Sequence, residues 1–308
     1  MNRRRGTAVA MALLLAALAA AGCGLGPGAD VGGVALTVTR EFGAVPVLEK
    51  DVGEVKESAT VMRVLEAEAD ISTRYGGGFV QSIEGIEGGQ RGGHSYDWFF
   101  YVNGVESPIG AAEFSLHGEE RIWWDYRDWT AAERVPAVVG SWPAPLRGGY
   151  EGKAHPVVVE CEGGGGEACG ATRKALEAAG VSISGGSPKG AIRVLVGPWA
   201  RLRSDPAAAQ LEAGPGESGV FAEFSSGPGG TRLQGLDPDG KQARAFGPGA
   251  GLVAATRRYE APPVWLVTGG TAAGVRAAAE SLDATDLRDH YAVATEGGRV
   301  IPLPLPTR

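Results

Sequence analysis

Between residues 34 and 42 the chain alternates. Val34, Leu36, Val38 and Arg40 share one face and Ala35, Thr37 and Thr39 the other, the period of a half-buried strand. Residues 45–52 continue as a second strand or its return. From Ser58 or Thr60, either of which can cap free N–H groups, the period changes. Val61, Val64, Leu65 and Ala69 line one side of a helix, with Arg63, Glu66, Glu68 and Asp70 toward water. Tyr75-Gly76-Gly77-Gly78 breaks the pattern, and a third strand is expected over 79–86. The clearest segment is 96–106. Trp98, Phe100 and Val102 fall on one face, Phe99 and Tyr101 on the other, and the run enters Asn103-Gly104, which accepts the positive φ angles of a tight type I′ hairpin. Residues 110–116 predict a short helical turn. Residues 121–126 predict a last strand with Ile122, Trp124 and Tyr126 opposite Trp123.

Residues 133–153 contain Pro136, Pro143 and Pro145 and few periodic apolar positions, so 131–155 reads as a linker between two domains, 34–130 and 156–308. Beyond it, strands are expected at 156–160, 181–184, 192–197 and 264–268. A hairpin pairs 220–224 with 231–236 ahead of an Asp237-Pro238-Asp239-Gly240 turn. Helices are expected at 171–180, 200–213, 252–258 and 272–282. Strands alternating with helices predict an α/β second domain with a partly parallel, mixed sheet, against an α+β first domain of sheet plus helix. The glycines of 268–274 lie between strand and helix but lack the Lys-Ser/Thr ending of a phosphate-binding loop, and they read as a turn.

The start of the chain changes the setting. Arg3, Arg4 and Arg5 precede an apolar run over 8–21 of secretory length, which predicts a signal peptide over 1–22. Its end, Leu18-Ala19-Ala20-Ala21-Gly22-Cys23, resembles the lipobox of bacterial lipoproteins, although leucine is commonest where Ala20 stands. That resemblance implies cleavage before Cys23, lipidation of Cys23, and a membrane-held protein on the extracytoplasmic face. Residues 23–33 then read as a flexible tether. Cys161 and Cys169 flank a glycine-rich loop supple enough to close a disulfide, which fits an oxidising compartment.

The 308 residues carry a formal charge of −7, and 34–130 holds 8 basic and 17 acidic residues. No basic stripe exists to neutralise phosphates, which argues against nucleic-acid binding. The four histidines fall in no metal-ligand spacing, and no nucleophile elbow or paired-carboxylate motif stands out. A non-catalytic role is therefore expected, with no cofactor. A structural envelope protein and a hydrolase in the second domain stand as the alternatives.

Four segments carry a family resemblance. Ala59-Thr60-Val61-Met62-Arg63-Val64-Leu65, Val80-Gln81-Ser82-Ile83-Glu84-Gly85-Ile86, Trp98-Phe99-Phe100-Tyr101-Val102-Asn103-Gly104 and Gly118-Glu119-Glu120-Arg121-Ile122-Trp123-Trp124 are similar to the transcobalamin C-terminal-like domain family. The hairpin is the most specific of the four. Gly118-Glu119-Glu120 departs from the Gly-Asp usual before that strand. The resemblance implies a compact α+β fold and, from the vitamin B12 carriers, capture of a cobalamin-like or other planar ligand. The larger helical lobe of those carriers is not recognisable here. Residues 42–150 hold five of seven Trp, five of seven Tyr and five of eight Phe. Phe99, Tyr101, Asn103, Trp123 and Trp129 are accordingly the candidate docking face, for a small molecule or a transporter partner.

Overall fold

In the computed structural model, the described residues are 28–163, 166–186 and 188–307. The expected signal peptide, Cys23 and the first part of the expected tether lie outside them. The described chain forms two lobes, each built on a six-stranded sheet.

In the first lobe β1 (Asp30–Arg40) and β2 (Val45–Lys56) form an antiparallel hairpin. β1 starts four residues earlier than its alternation predicts, so 30–33 are strand and not tether. The reason is β2, which runs on to Lys56 and supplies a ladder partner and an ion pair for Asp30. Helix α1 (Val61–Glu68) starts at Thr60, whose hydroxyl accepts from Arg63 N, and it buries Val61, Val64 and Leu65 as its stripe requires. β3 (Ile71–Arg74), β4 (Phe79–Ile83) and β5 (Ile86–Glu87) make a small separate sheet. β6 (Gly89–Arg91), β7 (His94–Val102), β8 (Val105–Glu106) and β9 (Arg121–Asp128) complete the main one, in the order β2-β1-β9-β7-β6 with β8 on β7. Asn103 and Gly104 take φ 52° and 76°, the left-handed pair that the β7–β8 hairpin needs. Residues 110–116 make a turn and an isolated bridge from Ser115 to Thr60, not a helix.

Period two sorts the sheet as expected. Val102, Trp98, Ile122, Trp124 and Tyr126 pack on one face with α1. Tyr101 and Trp123 project from the other, where a second core joins them to Phe42, Val135, Val138, Phe221, Leu236 and Tyr291. Residues 131–155 are therefore no linker. Val135, Val138, Val139, Trp142, Leu146 and Tyr150 are buried, and the segment is the mortar between the lobes. Its prolines shape a buried path, including a short helix at Ala144–Gly148.

In the second lobe β10 (Val157–Cys161), β11 (Ile192–Pro198) and, later, β16 (Val264–Gly269) run parallel. Before β16 come β12 (Ala222–Gly227), β13 (Gly230–Leu236) and β14 (Gln242–Ala245), a three-stranded antiparallel sheet, and β15 (Gly251–Thr256). β17 (Ala292–Glu296) and β18 (Arg299–Leu303) follow, and the order is β10-β11-β16-β15-β17-β18 with an antiparallel second half. The mixed sheet of the α/β reading is thus present. Helices α2 (Gly166–Ala178) and α3 (Ala272–Glu280) cover one face. Two expected helices fail. Residues 252–256 are the central strand β15, fully buried, because an all-apolar run between two sheet neighbours carries no period to choose by. The helix over 200–213 breaks where Asp205 accepts from Ala207 N and binds Arg193, just ahead of Pro206. Residues 181–184 contribute only a bridge from Ile183 to Val157.

Cys161, at the end of β10, is bonded to Cys169 in α2, with Cα atoms 6.0 Å apart. Closing so short a loop restrains the unfolded chain by about 2–3 kcal/mol. Reduction with dithiothreitol is expected to lower the unfolding free energy by that amount, read from urea curves with and without reductant.

Candidate functional site

Between the lobes, at the end of the first sheet, lies an open cleft of about 580 Å³. Sheet parity builds one wall. His94, Tyr96 and Trp98 alternate along β7, and Tyr126 and Asp128 along β9 opposite them, so a row of aromatic rings leaves the core and emerges into the cleft. Trp98 packs on Tyr126 at 5.2 Å, and Tyr126 stacks on Tyr96 at 5.8 Å and 17°. The Arg91 guanidinium lies 5.8 and 5.7 Å from these two tyrosine rings. Tyr126 donates its hydroxyl to Glu87 O and Trp98 its indole N–H to Ile86 O, which fixes β5 against the row. Burial raises both tyrosine pKa values, with Asp128 adding to the effect at Tyr96, so both phenols are neutral near pH 7.

The row ends in a polar cluster. His94 Nδ1 lies 2.6 Å from Asp128 Oδ2 and 3.6 Å from Asp239 Oδ1. Asp128 is buried, its other oxygen accepting from the backbone and hydroxyl of Thr130. Asp239 arrives from the second lobe on the expected Asp237–Gly240 turn. Asp237 Oδ1 holds that turn by accepting from Asp239 N and Lys241 N. The Lys241 ammonium, 2.8 Å from Asp239 Oδ2, holds the Asp239 carboxyl below the usual carboxylate range, with His94 adding to it. The opposite wall is the β1–β2 turn (Arg40, Glu41, Phe42, Ala44) and the tail Pro304, Leu305, Pro306 and Thr307.

The anticipated docking face has another occupant. Tyr101 and Trp123 are 0% exposed and pack on Tyr291 of the second lobe at 5.8 and 5.4 Å. Phe99 lies under the Arg127 guanidinium at 3.7 Å, beside the same core. Asn103 is buried and structural, donating to Gly149 O and accepting from Arg121 N. Trp129 is half-buried beyond β9, its N–H bonded to Ser95 O. The aromatic excess on the second face was real, but the chain covers it with itself. None of these five residues lines the cleft.

At the centre of that joint sits Asp125, fully buried. Its Oδ1 accepts from Thr39 Oγ1 (2.6 Å) and Gly43 N (3.0 Å), and its Oδ2 from Phe42 N (3.0 Å) and Tyr291 Oη (3.0 Å). Burial pushes its carboxyl up to about 6 against the pull of these donors and of Arg127. Sequence reasoning missed Arg91, His94, Tyr96, Tyr126, Asp128 and Asp239 as site residues. Extending the parity of Trp98 back to Tyr96 and His94, and of Trp124 on to Tyr126 and Asp128, points to four of the six; Arg91 lies off this parity. Asp239 has no such signal.

Residues 58–128 match the model of a family described as a domain of unknown function (DUF4430). The match spans all four segments that carry the resemblance stated above, and it includes β7, β9 and the aromatic row. No curated protein matches the chain.

Proposed function

We propose that the protein is an exported, lipid-anchored binding protein that holds a flat, ring-shaped polar ligand in the cleft between its lobes, without altering it chemically. The observation that carries this reading is the Tyr96–Tyr126 shelf, which brings a stacked aromatic surface and the Arg91 guanidinium into an open cleft. Aromatic faces bind planar groups by stacking, and a few polar groups at one end fix their orientation. The cleft volume lies within the range of small-molecule sites. The Cys161–Cys169 disulfide supports export, because such bonds persist in oxidising compartments. The Arg-rich start, apolar run and Cys23 support the anchor, and two acyl chains at about 0.8 kcal/mol per buried methylene would hold the chain durably at a bilayer. Mass spectrometry of the native protein is expected to find residues 1–22 absent and an acylated Cys23. An intact start without acyl mass rejects the anchor.

The similarity to transcobalamin C-terminal-like domains makes a corrinoid the first ligand to test, on behalf of a transporter partner. Full-length protein titrated with hydroxocobalamin and with a panel of nucleosides and aryl glycosides is expected to show quenching of Trp98 emission and a raised melting temperature with one ring class. Tyr96→Ala, at the half-buried outer ring of the shelf, is expected to weaken that binding by about 10–100-fold, as loss of a stacking partner of ~1–3 kcal/mol implies. A flat response across the panel rejects the cleft reading and leaves a structural envelope role.

A further inference from the structure

We infer that His94, Asp128 and Asp239 form a binding site for a divalent transition cation of the zinc type, bridging the two lobes at the end of the aromatic shelf. One imidazole nitrogen and two carboxylate oxygens lie within 4.8 Å of one another. They come from the start of β7, the end of β9 and the Asp237–Gly240 turn, so the donors converge from three separate elements. Metal–ligand distances of about 2.0–2.2 Å in tetrahedral geometry put donor atoms roughly 3.3 Å apart. The observed separations from Nδ1, 2.6 and 3.6 Å, lie on either side of that value, and the two carboxylate oxygens lie within 4.8 Å of each other.

The surroundings are those of oriented ligands. Each carboxylate has its second oxygen engaged elsewhere, Asp128 by Thr130 and Asp239 by Lys241, which leaves one oxygen of each aimed at His94. Such outer partners are what hold ligating carboxylates in place. Asp128 is buried and Asp239 largely so, whereas the His94 side chain is 36% exposed, giving an ion a way in from the cleft. Two carboxylates match the charge of a divalent cation. An imidazole with only three protein donors suits zinc, nickel or cobalt and not calcium, which takes six to eight oxygens. The remaining coordination position opens on the cleft beside Tyr96. Only the use of that position by a ring ligand rests on the cleft reading. Cation binding itself needs the three side chains alone.

The test is a titration of chelator-stripped full-length protein with Zn2+ in excess Mg2+, with Co2+ absorption as a second readout. The expected result is one zinc per chain and a visible Co2+ band of low-symmetry character. Asp239→Asn and His94→Gln are each expected to weaken zinc binding at least tenfold, with near-ultraviolet circular dichroism unchanged. Thr130→Ala is expected to weaken it less. No stoichiometric zinc, or zinc binding indifferent to Asp239→Asn, overturns the site. Zinc bound with no ring ligand found rejects the cleft reading alone. A ring ligand bound equally with and without chelator, by a chain that takes no zinc, rejects this site alone.

Discussion

Asp125→Ala is expected to lower the unfolding free energy by about 3–5 kcal/mol at pH 7, measured by urea denaturation. The substitution strands the N–H groups of Phe42 and Gly43 and the hydroxyls of Thr39 and Tyr291 in a joint where Asp125 is 0% exposed. Each unsatisfied buried donor costs ~1–3 kcal/mol, and the two hydroxyls recover part of it by turning to other partners. Tyr291 Oη already faces Tyr101 Oη at 3.3 Å, and Thr39 Oγ1 has the Trp124 carbonyl oxygen at 3.5 Å as another acceptor. The two backbone groups have no such freedom. They belong to a turn in which Glu41 and Phe42 both carry positive φ, 60° and 59°, a conformation that costs roughly 1–2 kcal/mol per residue outside glycine. Asp125 is what holds that turn, and the turn carries Arg40, Glu41, Phe42 and Ala44 into the cleft wall. The same substitution should therefore loosen the proposed ligand site from beneath.

The charge of Asp125 adds a pH signature. Its carboxyl titrates at about 6 in the fold, against roughly 3.9 when unfolded. Between these values the folded state holds more protons than the unfolded state, so stability falls as pH rises through this window. The contribution is complete below about 3.9 and lost above about 6, a drop on the order of 3 kcal/mol. The groups facing Asp125 are Arg127, Tyr101 and Tyr291, and burial keeps both phenols neutral across that range. Urea midpoints between pH 4 and 7 are expected to show the fall in the parent protein and to lack that component in Asp125→Asn. A parent curve without it would mean that the four donors outweigh burial.

What the sequence made legible was local. Thr60 caps its helix, Asn103-Gly104 makes its hairpin, and the parity of β7 and β9 divides the aromatic residues between two faces, because each of these follows from spacing within a few residues. What was illegible depended on the other lobe. Nothing in the spacing of Trp123 says that its second face meets Tyr291, 168 positions later, so an aromatic surface looked like a docking site for something foreign. The prolines of 131–155 suggested a linker for the same reason, since the walls that bury Trp142 and Leu146 lie elsewhere in the chain. The cleft was half legible. Tyr96 and Tyr126 sit at the right parity, but their meeting with Asp239 is a consequence of how the lobes dock.

That docking has a steric keystone, and Gly43→Ala is expected to break it at a cost of about 3–5 kcal/mol. A Cβ at Gly43 would stand 1.7 Å from Asp289 O and 3.1 Å from Trp123 Cζ2, at φ +86°. The carbonyl is backbone, so it cannot rotate away. Either the β1–β2 turn lifts and abandons Asp125, or the segment carrying Tyr291 retreats and takes its ring off Tyr101 and Trp123. Both routes open the joint, not the sheets. The loss should therefore appear as faster chymotrypsin cleavage after Phe221 and Tyr291, which the native joint buries, alongside the lower urea midpoint. Gly53→Ala on β2 is the control, because a Cβ there meets nothing within 4 Å, and it is expected to change stability by no more than about 0.5 kcal/mol. If Gly43→Ala unfolds at the parent's midpoint and resists the protease equally, the two lobes are held by something other than the packed joint around Asp125 and Tyr291.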